Sequence, residues 1–289
     1  MLNVSIVLYN PDWENEVLPL VGELLKVQCL NKLYLVDNSE KRAEESVWGR
    51  WKDGRVQYVF PGKNTGYGRG HNMALRESVH DGIRYHLVMN ADIAVRAEDI
   101  DRLCRFMENR PDVGQLMPKV VYPNGELQYL CKLLPTPMDV FGRRFLPQRW
   151  TKTRNARYEL RDSGYNTPMN VPYLSGCFML LRTEAAQKAG LFDERYFMYP
   201  EDIDLTRRIH HRYVTLYYPE VTIVHKHKKG SYHSMNLLWI HIVNMCRYFN
   251  KWGWFFDRER KEVNRTTLSS TDKPDSPHTQ AKDKPHATI

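Results

Sequence analysis

Leu87-Val-Met-Asn-Ala-Asp92 is an apolar run that closes on the short polar tripeptide Asn90-Ala91-Asp92. Such a run reads as a strand of a parallel sheet, buried on both faces. It delivers its last residues to the carboxyl edge of the sheet, where open α/β folds bind ligands. A carboxylate at Asp92 then has two uses. It can hold a divalent metal through hard oxygen ligands, or it can cap the helix that follows.

Upstream of this strand the chain alternates strand and helix patterns. Val4–Tyr9, Lys32–Val36 and Val56–Phe60 read as strands, Trp13–Val27 as an amphipathic helix, and His71–Gly82 as a helix behind a Gly-rich loop. Downstream follow a helix near Ala97–Asn109 and a strand at Val113–Tyr122, which Pro118 marks as an edge or a bend. Alternation of this kind predicts right-handed crossovers and a mostly parallel central sheet flanked by helices. From about 123 to 172 the periodicity weakens amid scattered Pro and Arg, which suits a loop-rich basic insertion. Order returns at Tyr173–Leu181, with short helices near Glu184–Ala189 and from Glu201, then strands at Val214–Tyr218 and Val221–His225. Residues 1–230 thus form the main domain. A C-terminal amphipathic helix over 231–263, with its stripe between Met235 and Phe256, comes next, and an aperiodic tail over 264–289 reads as disordered.

The 289 residues, 42% hydrophobic, are enough for a sizeable core. Five widely spaced cysteines without a C-x-x-C pair argue against a disulfide framework or a cysteine zinc site and fit a reducing cytosol. Met1 leads straight into the first strand with no signal-peptide pattern, and no long uninterrupted apolar stretch exists. A cytoplasmic protein, peripheral on the inner membrane face, is the expectation. The net charge of +8 is concentrated: seven basic residues against Glu159 alone in Phe141–Arg161, and a second cluster at His225-Lys-His-Lys-Lys229. No helix-turn-helix, zinc-finger or RNP pattern favours nucleic acid, so a phosphate-bearing substrate or an anionic membrane surface is the expected partner.

Four further segments can carry chemistry. Asp37-Asn38-Ser39 ends the second strand; its carboxylate can accept the N3–H of uracil or thymine, or simply build a turn. In Asn64-Thr-Gly-Tyr-Gly-Arg-Gly-His-Asn72 the glycines permit close backbone approach to a ligand, ahead of a helix N-terminus. A dinucleotide fingerprint fails because His71 stands where the third glycine belongs, and no Walker A lysine is present. Glu201 and Asp202, behind Pro200, can complement a helix dipole or supply a general base. His225, with His227 on the same strand face, can ligate a metal, bond a diphosphate oxygen, or be an ordinary surface histidine.

Taken in order, Asp37-Asn38-Ser39, Asn64-x-Gly66-x-Gly68, Asn90-x-Asp92, Ser175-Gly176, Glu201-Asp202 and His225 resemble the family 2 inverting glycosyltransferases of the GT-A fold, over roughly residues 3–260. The closing pattern His225-x-His227…Ser231…His241-Ile242…Tyr248-Phe-Asn-Lys-Trp-Gly-Trp254 is similar to bacterial rhamnosyltransferases of polysaccharide assembly. The resemblance implies a nucleotide-sugar site at Tyr9, Asn10, Asp37, Asn64, Gly66, Gly68, Asn72, Asn90 and Asp92, with Asp37 reading the pyrimidine. It implies Ser175 and Gly176 on the acceptor side, Asp202 as base beside Glu201, and Mg²⁺ or Mn²⁺ at Asp92 with His225. The donor would be dTDP- or UDP-linked and the acceptor a saccharide, which could be carried on a lipid diphosphate. One departure stands out: the usual D-x-D begins here with Asn90, leaving one anionic ligand fewer. The rivals are a sugar nucleotidyltransferase, against which Tyr9-Asn10-Pro11-Asp12 counts, and a non-catalytic basic module for membrane or nucleic acid.

Overall fold

A computed structural model describes residues 1–51, 53–142, 147–226 and 235–271. In strand β1 (Leu2–Leu8), Leu2, Val4, Ile6 and Leu8 point to one face and pack with Leu20, Val21 and Leu24 of the Leu18–Leu24 helix. The other face is partly polar and meets the Tyr67–His80 helix: Ser5 Oγ bridges His71 Nδ1 and His86 Nε2 at 2.7 and 2.8 Å. Strands β2 (Leu30–Asp37), β3 (Val56–Val59) and β4 (Tyr85–Met89) complete a parallel half in the order β3-β2-β1-β4.

The second half adds β5 (Ile93–Ala94), the Ala97–Glu108 helix and β6 (Val113–Val121), then the short β7 (Cys131–Lys132), β8 (Met169–Asn170) and β9 (Tyr173–Leu174). β10 (Phe178–Arg182) and β11 (Val214–His225) close the sheet, whose order continues β4-β10-β6-β11-β5. Most of its long strands are parallel, as expected, with one reversal. β10 runs antiparallel to both β4 and β6, so the residues before it, not after it, reach the carboxyl edge.

β6 is not the edge strand that Pro118 suggested, for it lies between β10 and β11. Pro118 stands opposite Tyr218, where the β11 register shifts, so its missing N–H falls at an irregularity. The same bulge explains why two strands were expected where one long β11 runs. Between 123 and 172 the chain is better packed than its texture suggested: Leu133, Tyr158, Leu160 and Tyr165 enter the main core, and Gln148–Tyr158 is helical. Arg143 and Arg144 lie outside the described residues.

Beyond β11 there are two helices, Met235–Trp252 and Arg258–Thr271, in place of one. Gly253 breaks the first at φ 104°, a conformation glycine adopts without strain. Met245 and Phe249 of the expected stripe are buried against Leu134, Tyr173, Tyr196 and Ile203, and so is Tyr248, whose place off that stripe suggested exposure. Residues up to Thr271 that read as tail are helical, while His227, Ser231 and the chain after 271 fall outside the described residues. Among the described residues no helix is long and apolar enough to cross a membrane.

Candidate active site

The carboxyl edge of the sheet carries a cavity of about 540 Å³. Five segments meet there: Tyr9 and Asn10 after β1, Asn90–Asp92 after β4, Ser175–Cys177 before β10, Glu201 and Asp202 at a helix start, and His225 at the end of β11. The reversal of β10 is what brings Ser175 and Gly176 to this edge. Tyr67 closes the floor, its hydroxyl donating to the Gly176 carbonyl at 2.7 Å and lying 3.0 Å from Asn90 Oδ1.

Asp92 Oδ1 and His225 Nε2 are 3.3 Å apart. Gln128 grips His225 twice, its Nε2 donating to the His225 carbonyl at 2.8 Å and its Oε1 lying 2.9 Å from Nδ1. Because that Oε1 can only accept, Nδ1 carries a proton and Nε2 is the atom turned to Asp92. Burial works against a charged ring, but hydrogen bonding and charge from Asp92 and Cys177 outweigh it and lift His225 to about 10. Among the described residues no group of three or more His, Cys, Asp or Glu could hold a metal. The pair nevertheless fits Mg²⁺ or Mn²⁺, which commonly take one or two protein donors and complete their shell with substrate phosphate and water. A cation at Nε2 would displace its proton.

Glu201 and Asp202 differ although they are neighbours. Asp202 accepts a backbone N–H on each oxygen, from Gly176 at 2.9 Å and from Ile203 at 2.8 Å. Glu201 is 4% exposed, and its Oε2 has no hydrogen-bond partner. Burial, then the adjacent Asp202 charge, push Glu201 up to about 8. Burial raises Asp202 too, but the two N–H groups oppose that. At neutral pH the proton of the pair belongs on Glu201 and the negative charge on Asp202. Asp204, the third acid of the motif, is bound by Arg208 Nε at 2.8 Å and by Trp252 Nε1 at 2.7 Å, away from the cavity lining.

Several expected donor residues do not line this cavity. Asn64 Oδ1 accepts from Gly66 N, and Asn72 clasps the backbone of Phe192 with bonds of 2.9 and 3.0 Å. The glycines of this loop let neighbouring protein segments approach closely. A Cβ on Gly66, at φ 86°, would lie 2.3 Å from the Phe197 carbonyl oxygen, and one on Gly68 2.9 Å from Phe192 Cβ. The helix starts at Tyr67, earlier than read, so these contacts fix its N-terminus against the 192–197 segment. Asp37 is buried at the end of β2, where Oδ1 accepts from Ser39 N at 3.0 Å and Oδ2 from the Tyr58 hydroxyl at 2.6 Å.

Sequence reasoning missed Tyr67, Gln128 and Tyr199. Tyr67 sat inside a quoted motif between two glycines that drew the attention. Gln128 lies where periodicity is weak, and only its pairing with His225 reveals it.

Comparison with known proteins adds to this geometry. Residues 4–190 match the family model of Glycosyl transferase family 2. N-acetylglucosaminyl-diphospho-decaprenol L-rhamnosyltransferase of Mycobacterium tuberculosis is 29% identical over 194 residues, which is 61% of this chain and 60% of that one. Rhamnosyltransferase WbbL of Escherichia coli (strain K12) is 28% identical over 255 residues, 85% of this chain and 92% of that one. GalNAc-T7, solved with UDP, GalNAc and Mn²⁺, superposes with a TM-score of 0.61 at 14% identity, over 94% of this chain and 51% of that one. The chain therefore spans less than two thirds of the mycobacterial relative and about half of GalNAc-T7. The fold is GT-A. With a match across well over half its length, the chain belongs to glycosyl transferase family 2.

Proposed function

We propose that the protein is an inverting glycosyltransferase that moves a sugar, rhamnose as first choice, from dTDP or UDP to a hydroxyl of a saccharide acceptor in cell-surface polysaccharide synthesis. The observation that carries this reading is the split between Glu201 and Asp202 at one cavity wall. Asp202 accepts a backbone N–H on each oxygen, whereas Glu201 is buried with Oε2 unpartnered. An ionised carboxylate in that position suits a general base.

Asp202 takes the acceptor proton as the acceptor oxygen attacks the anomeric carbon from the face opposite the diphosphate. The new glycosidic bond forms while the bond to the diphosphate oxygen breaks, its electron pair leaving with the nucleoside diphosphate. Tyr9, Asn10, Asn90 and Asp92 hold the donor, Asp37 accepts the pyrimidine N3–H through its remaining lone pairs, and Ser175 and Gly176 flank the oxygen of Asp202. Charge on the leaving diphosphate would be neutralised by Mg²⁺ or Mn²⁺ held by Asp92 and His225.

Two relatives named as rhamnosyltransferases support the choice of sugar. The mycobacterial name, with its diphospho-decaprenol, supports a lipid-linked acceptor and work at the cytoplasmic membrane face. The exposed Trp150, Trp239, Phe255 and Phe256 and the basic 141–161 segment support the same location. A panel of nucleotide sugars with Mn²⁺, read by thermal stabilisation and by slow donor hydrolysis, tests the reading. dTDP-rhamnose should give the largest shift. No shift from any nucleotide sugar would sink the reading.

A further inference from the structure

A second cavity, of about 390 Å³, adjoins the first, and Tyr199 and Asp202 belong to the lining of both. A hydroxyl that gives its proton to Asp202 and attacks a donor in the first cavity must approach from the other side of that carboxylate. The second cavity also reaches Asp202; its one further acid, Asp139, is held by Arg154 at 2.6 Å, and the rest of the lining includes a cation and an apolar wall. Lys132 supplies a cation. It pairs across the β7–β9 ribbon with Tyr173, its ammonium is 5.3 Å from that ring centroid, and its charge acts on Asp202. Leu237, Leu238 and Met245 of the Met235–Trp252 helix supply an apolar wall together with Val140.

The helical turn Met138–Gly142, which carries Val140, also borders a third cavity of about 440 Å³. Met138, Phe141, Trp254 and Phe255 line it, and of these Met138 and Phe255 are exposed. His241 and Tyr199, stacked at 5.1 Å, give the second cavity a flat platform of the sort sugar rings rest on.

We infer that the second cavity is the acceptor site and that its ligand is an amphipathic glycosyl phosphate, with its sugar between Asp202 and the Tyr199–His241 pair, its phosphate on Lys132 and its apolar carrier along Leu237, Leu238 and Met245. The inference rests on the transferase reading above and narrows it to the acceptor. A neutral free saccharide would use neither the cation nor the apolar wall. The C-terminal helix is then part of the binding site as well as a packing element.

Farnesyl diphosphate, a diphosphate on an apolar chain without a sugar, is the probe. Calorimetry on the full chain, with the donor cavity filled by saturating UDP and Mn²⁺, should show it binding to the native protein. Pyrophosphate and farnesol alone should bind far more weakly. Lys132→Ala should weaken farnesyl diphosphate by about tenfold, the loss of one charge-assisted contact. Leu238→Asp should weaken it at least as much, and UDP affinity should be unchanged in both variants. A native protein that binds UDP but not farnesyl diphosphate overturns the inference, as does equal binding in native and both variant proteins. Failure to bind UDP at all would remove the transferase reading and this inference with it.

Discussion

Arg207 and Asp257 form a buried two-bond pair at 2.8 and 2.9 Å, their side chains 2% and 3% exposed. Arg207 stands on the helix that begins with Glu201 and Asp202, and Asp257 on the turn between the two C-terminal helices. The Trp252 ring lies 4.0 Å from the same guanidinium. The helix bearing Glu201 and Asp202 is thus tied to the C-terminal helices. Glu259 holds the same guanidinium at 2.7 Å, so Asp257→Ala removes one of two carboxylates and should lower stability by about 1–3 kcal/mol in urea unfolding. The double variant with Arg207→Met should recover part of that loss, because Glu259 is partly exposed and the buried Arg260 keeps its bonds to the Pro135 and Trp254 carbonyls.

Asp202→Asn keeps the shape but removes the basicity. Turnover should fall by roughly 10²–10⁴ with donor affinity kept. In the native enzyme, activity should drop as pH falls and Asp202 protonates, at a pH above the usual range for aspartate because burial raises its pKa. Glu201 ionises near 8, and the second negative charge beside Asp202 should then produce an alkaline inflection in the rate profile. Glu201→Gln should retain turnover and lose that inflection. A dead Glu201→Gln beside an active Asp202→Asn would exchange the two roles.

Asp92→Ala should abolish Mn²⁺-dependent donor binding while circular dichroism stays native. Because His225 is lifted to about 10, a cation at its Nε2 competes with a proton. Metal-dependent affinity for the donor should accordingly rise with pH between 6 and 9, and proton release should be measurable by titration in buffers of different ionisation enthalpy. Unchanged affinity in the Asp92 variant with metal present would remove Asp92 from the site.

Pyrimidine choice gives a fourth test. With Asp37 accepting a ring N3–H, UDP and dTDP should bind tenfold to a hundredfold better than CDP, ADP and GDP, a difference of about 1–3 kcal/mol. Equilibrium dialysis of the five diphosphates measures it. Equal binding would take Asp37 out of base recognition.

The exposed Phe255 and Phe256, 77% and 97% accessible, and the nearby basic residues give a fifth. Each basic side chain close to an anionic leaflet contributes about 1 kcal/mol, so the protein should sediment with anionic vesicles at low salt and release as salt rises. Phe255→Ser with Phe256→Ser should weaken sedimentation at every salt concentration. A protein that stays in the supernatant with anionic vesicles at low salt is not peripheral through this face.

Strand-ending motifs made much of the site legible. Asn90–Asp92 and His225 are delivered by strands whose burial is written in their apolar runs, and Glu201–Asp202 by a helix start that Pro200 announces. Asn64 and Asn72 read as ligand contacts because a polar residue beside glycine looks alike whether it faces a nucleotide or a neighbouring loop. Only the position of Phe192 and Phe197 separates the two cases. The direction of β10 was hidden for a related reason: a run such as Phe178–Arg182 has the same pattern in either orientation. Likewise, a stripe of helical spacing continues past Trp252, but one glycine in a left-handed backbone ended the first helix.

Asp202, the proposed base, and the imidazole at the end of β11 both lie after residue 190, where the family match stops. Recombination between relatives near that point would move the base, His225 and the helical wall of the second cavity as one inherited block, leaving the nucleotide floor behind. Chimeras joined there should take the apolar part of their acceptor preference from the donor of the later segment, while the Lys132 contact and the nucleotide preference stay with the earlier one. Such exchanges face one constraint, since β11 pairs along β6 inside the sheet and a grafted strand must accept that register, bulge included. New acceptor ranges can then arise by swapping the later half, so long as the incoming strand pairs with the resident one.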